Sequence, residues 1–205
     1  MDSFSPSTDE LMGHNRRYAA RYEGRDLQVA PTRHLAVVAC MDSRMDIFAM
    51  LGLGNGEAHI IRNAGGVITD DVIRSLCLSQ RLLGTREVIL IHHTNCGLQQ
   101  VSEDEFKAEL EAELGIKPWW SVEAFVDPYA DVRQSIMRLR RSPFVAHLDH
   151  VRGFVFDVHD GLLVGRRDLH GGVLARGGRS SDQQRQVHAS ALHLVRHVHH
   201  LGLRH

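Results

Sequence analysis

Cys40-Met-Asp-Ser-Arg44 and His92-His-Thr-Asn-Cys96 carry the residue types in this chain best suited to chemistry. Two thiolates and one imidazole are soft-to-borderline donors. That set suits Zn²⁺ and leaves a fourth tetrahedral position open or contested. In an extended segment Cys40, Asp42 and Arg44 alternate onto one face. Asp42 then either ligates the metal and closes the site, or pairs with Arg44 and leaves space for water. Taken singly, Cys40 reads as a small buried hydrophobe at a strand end, and His93 as a bonded core histidine. Taken together, they favour a metal, and the two charged neighbours favour a catalytic one. His92 competes with His93, and spacing leaves that choice open. Cys77 lies in the helical run Val72-Ile-Arg-Ser-Leu-Cys77-Leu, where the apolar face claims it for the core.

The elements that must position these groups follow from hydrophobic pattern and turn residues. His34-Leu-Ala-Val-Val-Ala-Cys40 is a short apolar, β-branched run that reads as a buried parallel strand. Met45 to Leu51 looks helical and stops at Gly52. Ala58-His-Ile-Ile-Arg62 is a second strand, followed by Asn63-Ala-Gly-Gly66. Thr69 is a candidate N-cap for a helix that runs to Leu83 and ends at Gly84. Glu87-Val-Ile-Leu-Ile91 is the third strand. Ser102-x-x-Glu105 has capping-box form, with its helix ending near Gly115. Asp127-Pro128 opens another helix, limited by Pro143. Gly153 to Val158 is a fourth strand, which Asp160-Gly161 turns toward Leu162-Leu-Val164. Strands alternating with helices predict an α/β fold with a mostly parallel sheet flanked by helices. Such sheets gather sites at the carboxyl ends of strands, where Cys40 and the two histidines fall.

Around this core we expect a helical arm over residues 1–30, with Ser7-x-x-Glu10 as its capping box and the helix reaching about Tyr22. Residues 31–164 form the zinc-binding catalytic domain. Residues 165–205, rich in His and Arg, form an extension expected to be partly disordered. The formal net charge of −1 gives no general affinity for nucleic acid or anionic membrane. No apolar run is long enough to span a bilayer, and the acidic start, MDSFSPSTDE, is not a secretory signal. Three cysteines do not make a disulfide scaffold, so a reducing cytoplasm is expected.

Ala39-Cys-Met-Asp-Ser-Arg44, Ile61-Arg-Asn-Ala-Gly-Gly66 and His93-Thr-Asn-Cys-Gly97 resemble, in order and spacing, the motifs of the β-class carbonic anhydrases. Asp70-Asp-Val-Ile-Arg-Ser75, Arg81-Leu-Leu-Gly-Thr-Arg-Glu87 and Arg152-Gly-Phe-Val-Phe-Asp157 are similar to the short actinobacterial-type branch. The resemblance implies one Zn²⁺ per subunit on Cys40, His93 and Cys96, with water or Asp42 in the fourth place. It implies that His93 rather than His92 is the ligand, and that Arg44 holds Asp42 off the metal. The activity it implies is hydration of carbon dioxide to bicarbonate and a proton. It also implies a homodimer or homotetramer, with the N-terminal helix packed across the partner. Backbone N–H groups near Gly65, Gly66 and Gly97 are candidate substrate contacts, with ordinary turn geometry as the competing explanation. Some plant-type members carry a Gln where this chain has Pro31, so their amide contact to bicarbonate is missing. A carbonyl sulfide or carbon disulfide hydrolase on the same scaffold is the enzymatic alternative. A zinc-holding interaction protein, with Asp42 permanently ligated, is the non-catalytic one.

Overall fold

The structure is a computed structural model and describes residues 4–165. The His- and Arg-rich extension beyond Gly165 lies outside the described residues. The segment up to Leu27 and the unit beginning at Gln28 are separate units. In the first, α1 spans Thr8–Ala19, ending earlier than the sequence predicts. Ser7 is its N-cap residue but makes no side-chain cap bond. Its φ of −95° and ψ of 4° lie outside the extended region that aims a capping hydroxyl at the first-turn N–H groups. Leu11, Met12 and Tyr18 of this helix are exposed.

In the second unit a five-stranded sheet has the order β2-β1-β3-β4-β5. The strands are β1 Leu35–Cys40, β2 Ala58–Asn63, β3 Glu87–His93, β4 His150–Phe156 and β5 Leu163–Gly165. All neighbours are parallel except β4 and β5, which the turn at Gly161 makes antiparallel. The mostly parallel α/β architecture is therefore as expected from the pattern. β1 starts one residue late because His34 has φ +52°. β3 is longer than its apolar run. Pairing with β4 continues through His92↔Val155 and His93↔Phe156, so both histidines lie inside the strand.

The helices are α2 Ile47–Leu51, α3 Asp70–Leu83, α4 Glu103–Leu114 and α5 Pro128–Arg141; α3 and α5 pack on one face of the sheet and α2 on the other. Thr69, Ser102 and Asp127 cap α3, α4 and α5 as the sequence predicts, each accepting from a first-turn N–H. α2 begins at Ile47 rather than Met45, because Asp46 accepts from Ala49 N and acts as its N-cap. One core sets Val72 and Leu76 of α3 and Val132, Ile136 and Leu139 of α5 against Val38, Val88 and Leu90 of the sheet. The other sets Met45, Ile47, Val67 and Phe125 against Val37, Ala39 and Ile91. α4 has no buried residue. Among the described residues no helix is long and apolar enough to cross a membrane.

Candidate metal centre

β1 delivers Cys40 at its carboxyl end, and the chain then turns instead of staying extended. Met41 N donates to Asn63 O at 2.8 Å. Asp42 Oδ1 accepts from the Arg44 backbone N–H at 2.9 Å, a side-chain turn typical of Asp. Asp42 and Arg44 therefore meet through this turn and not through strand alternation. Arg44 Nε donates to Asp42 Oδ1 at 2.9 Å, and Nη2 donates to Oδ2 at 2.7 Å. Nη2 also donates to Asn95 O at 2.9 Å, which ties this turn to the one carrying Cys96.

Alternation along β3 separates the two histidines. His93 Nδ1 donates to the Thr94 carbonyl at 2.9 Å, which fixes the tautomer and leaves Nε2 with its lone pair. Nε2 is buried and has no hydrogen-bond partner among the described residues. Asn95, at φ +54°, then reverses the chain so that Cys96 faces back. Cys96 caps the short helical turn Gly97–Gln100, and its N–H donates to Gln99 Oε1 at 2.9 Å. His92 instead stands with Nδ1 3.2 Å from Asp131 Oδ2 on α5. Neither of those two atoms is in hydrogen-bonding geometry.

The outcome is a cluster of Cys40 Sγ, Cys96 Sγ and a His93 ring nitrogen, all buried and within 4.8 Å of one another. Tetrahedral zinc, with bonds of about 2.0–2.3 Å, spaces its ligand atoms by about 3.3–3.8 Å, so the donor set and its compactness fit that ion. Asp42 is outside this cluster, although its Oδ2 lies 3.7 Å from His93 Nε2. Cys77 is partly buried on α3, away from the cluster.

The charges are already arranged for a cation. The neighbouring Cys96 thiol, against the opposing cost of burial, holds Cys40 well below the usual thiol range, with His93 adding to the effect. Cys96 is pushed up in turn, by Cys40 and by burial. Arg44's hydrogen bonds hold Asp42 far below the usual carboxylate range despite partial desolvation. Burial lowers His93, but the Cys40 thiolate outweighs it and the net shift is upward.

A protein-family model described as carbonic anhydrase matches residues 35–122. β-Carbonic anhydrase 1 of Mycobacterium tuberculosis is 53% identical over 156 residues, covering 76% of this chain and 95% of that protein. The chain belongs to the β-carbonic anhydrase family. Among solved structures, the carbonic anhydrase of Streptococcus mutans superposes with a TM-score of 0.73 at 36% identity, covering 79% of this chain and 98% of that one. A carbon disulfide hydrolase of Acidithiobacillus thiooxidans is 33% identical, covering 75% of this chain and 85% of that protein.

Several supports of this β-carbonic anhydrase site, Arg62 of the Ile61–Gly66 motif among them, gain their role only in the folded chain. Arg62 donates from Nε to Cys40 O at 2.8 Å and from Nη2 to Asp42 O at 2.6 Å, clamping the backbone between them. Gln99 also donates to Val126 O at 3.0 Å, joining the Cys96 turn to the loop that carries Phe125. The three glycines divide. Gly65 and Gly66 have φ of +78° and +70°. A Cβ on Gly66 would stand 2.7 Å from Cys40 N and 2.9 Å from Ile91 O, so backbone packing requires that glycine. A Cβ on Gly97 would meet nothing within 4 Å.

Proposed function

We propose that the chain catalyses reversible hydration of carbon dioxide to bicarbonate and a proton, with one Zn²⁺ per subunit held by Cys40, His93 and Cys96. The observation that carries this is the convergence of three buried donors beside a carboxylate that Arg44 grips at both oxygens. Zinc bound there supplies a Lewis acid that lowers the pKa of a water ligand. The protein's own groups do the rest. Arg44 keeps Asp42 ionised, so Asp42 Oδ2 accepts a hydrogen bond from the attacking water and orients it. The Thr94 carbonyl holds the His93 ring in place. Val67, Leu98 and Phe125 pack around Cys40 and Cys96 and offer an apolar wall to a small linear substrate. Gly65, Gly66 and Gly97 remain candidate substrate contacts through their backbone N–H groups, and open space lies beside Gly97.

A subunit with Leu114, Ile116 and Trp119 exposed at 63%, 75% and 94% supports a homodimer or homotetramer as the working form. Free, unpaired cysteines fit a cytoplasmic enzyme. Domain limits of 1–30, 31–164 and 165–205 remain our reading of the chain. A second activity, carbon disulfide or carbonyl sulfide hydrolysis, is favoured by the Acidithiobacillus relative. A zinc-holding role without catalysis would need Asp42 as a permanent ligand, and Arg44's grip opposes that.

The test is stopped-flow hydration of carbon dioxide by the zinc-loaded protein, run beside a carbon disulfide assay. Cys40→Ser and His93→Ala are expected to lose zinc and activity together. Asp42→Asn and Arg44→Ala are expected to keep zinc and lose about 100-fold in turnover, the scale of one general acid–base group. Full hydration by metal-free protein would overturn the proposal, and carbon disulfide turnover above hydration would move it to the second activity.

A further inference from the structure

Residues 121–126 form a strap between α4 and α5 that is neither helix nor strand. Glu123 has φ +58°, a left-handed conformation that costs a non-glycine residue and persists only where its surroundings impose it. Four bonds impose it here. Glu123 Oε1 accepts from Arg138 Nη1 at 2.7 Å, and the Glu123 N–H donates to Ser121 Oγ at 3.2 Å. The Phe125 N–H donates to Leu98 O at 3.4 Å, and Gln99 Nε2 donates to Val126 O at 3.0 Å. The strap leaves Val126 outside and turns Phe125 inward, into the core that holds Cys40 and Cys96.

That core is tight beside Gly65. A Cβ placed there would stand 2.6 Å from Leu98 Cδ1, 3.2 Å from Val67 Cγ1 and 3.3 Å from Phe125 Cε1. Three side chains converge with no room for one more carbon. Leu98 reaches the point with the tip of a flexible chain and can rotate aside. Phe125 presents a rigid ring, and the buried His92 ring packs against it with centroids 5.7 Å apart. Phe125 is thus the unyielding part of the wall.

We infer that Phe125 sets the width of the substrate site, admitting carbon dioxide and disfavouring carbon disulfide, and that Glu123 is a positioning residue that holds it there. This deepens the hydration reading above and rests on it. Both substrates are linear and are attacked at carbon, so width separates them, sulfur being larger than oxygen. An apolar pocket discriminates by about 10- to 200-fold for one added carbon.

The test measures stopped-flow hydration of carbon dioxide and release of hydrogen sulfide from carbon disulfide, which takes up two waters to give carbon dioxide and two molecules of hydrogen sulfide. Zinc-loaded, full-length wild type is compared with Phe125→Leu, Phe125→Ala and Glu123→Gln, with zinc content measured throughout. Wild type is expected to favour carbon dioxide. Phe125→Leu and Phe125→Ala should keep zinc and raise the carbon disulfide to carbon dioxide ratio of kcat/KM by about tenfold or more. Glu123→Gln should raise KM for carbon dioxide severalfold at constant kcat, whereas simple loss of folded enzyme lowers kcat at constant KM. An unmoved ratio in both Phe125 variants would overturn the inference, as would zinc loss in Phe125→Leu or a wild type that favours carbon disulfide. Normal hydration with an unmoved ratio sinks this inference alone, whereas no hydration by zinc-loaded wild type sinks the functional reading itself.

Discussion

Arg62 is exposed, yet its guanidinium holds the two carbonyls that shape the Cys40–Asp42 turn. Arg62→Ala is expected to weaken zinc binding by about 10- to 100-fold, as loss of a group supporting metal ligands does. Competition with a chromogenic chelator measures it, and unchanged affinity would remove Arg62 from the site. Asp131 offers a second test. Burial, helped by Glu123, raises its carboxyl from 3.8 to about 6. Facing it, His92 is lowered by burial to about 4 and stays neutral near pH 7. Between pH 4 and 6 the native Asp131 therefore holds a proton that the unfolded chain has released. At Asp131 the native state binds more protons there, so this group's contribution to stability falls as pH rises; His92, neutral natively but protonated in the unfolded chain, contributes in the opposite sense over the same range, and comparison with Asp131→Asn isolates the first. Asp131→Asn should remove that loss and add about 2–3 kcal/mol at pH 7, read from denaturant unfolding of both proteins between pH 4 and 7. At this scale the donors were legible, because Cys and His declare their chemistry by type. The role of Arg62 was not, because its partners sit on another strand. The His92–Asp131 encounter was not, because it needs α5 folded against the sheet.

The turn Ala64–Gly66 shows how an element limits the site. Gly66→Ala meets a left-handed φ and a backbone wall formed by Cys40 N and Ile91 O. It is expected to destabilise the protein by more than about 1 kcal/mol and to displace Cys40. Thermal unfolding and zinc stoichiometry check both parts, and a wild-type result for either would show that the turn yields. Punctuated boundaries were readable: α3 stops at Gly84 and α4 at Gly115, both left-handed C-caps. Boundaries set by tertiary contact were not. β3 runs past its apolar segment because β4 supplies partners for two histidines, and no local propensity announces that. Ser7 shows the converse failure, a capping motif whose backbone does not take the capping conformation.

For the whole molecule, metal and assembly are the levers. If zinc ties β1 to the turn after β3, removing it with a chelator should lower the midpoint of thermal unfolding, and re-addition should restore it. An unchanged midpoint would place the metal elsewhere. Trp119→Glu combined with Ile116→Glu should reduce the sedimenting mass if that surface joins subunits. The sheet itself has one further consequence. Val88-Ile-Leu-Ile91 is apolar on both faces and packs into both cores. Sliding β3 forward by one residue would therefore cost its aliphatic side chains little, yet it would put His92 where His93 now stands and bring Ile91 to the place facing Asp131. If the site takes zinc as proposed, an ion bound before β3 and β4 have paired could be taken by either imidazole, whereas the paired strands offer it only His93. The choice of imidazole would thus rest on register, held where His92 pairs with Val155 and His93 with Phe156 on the neighbouring strand.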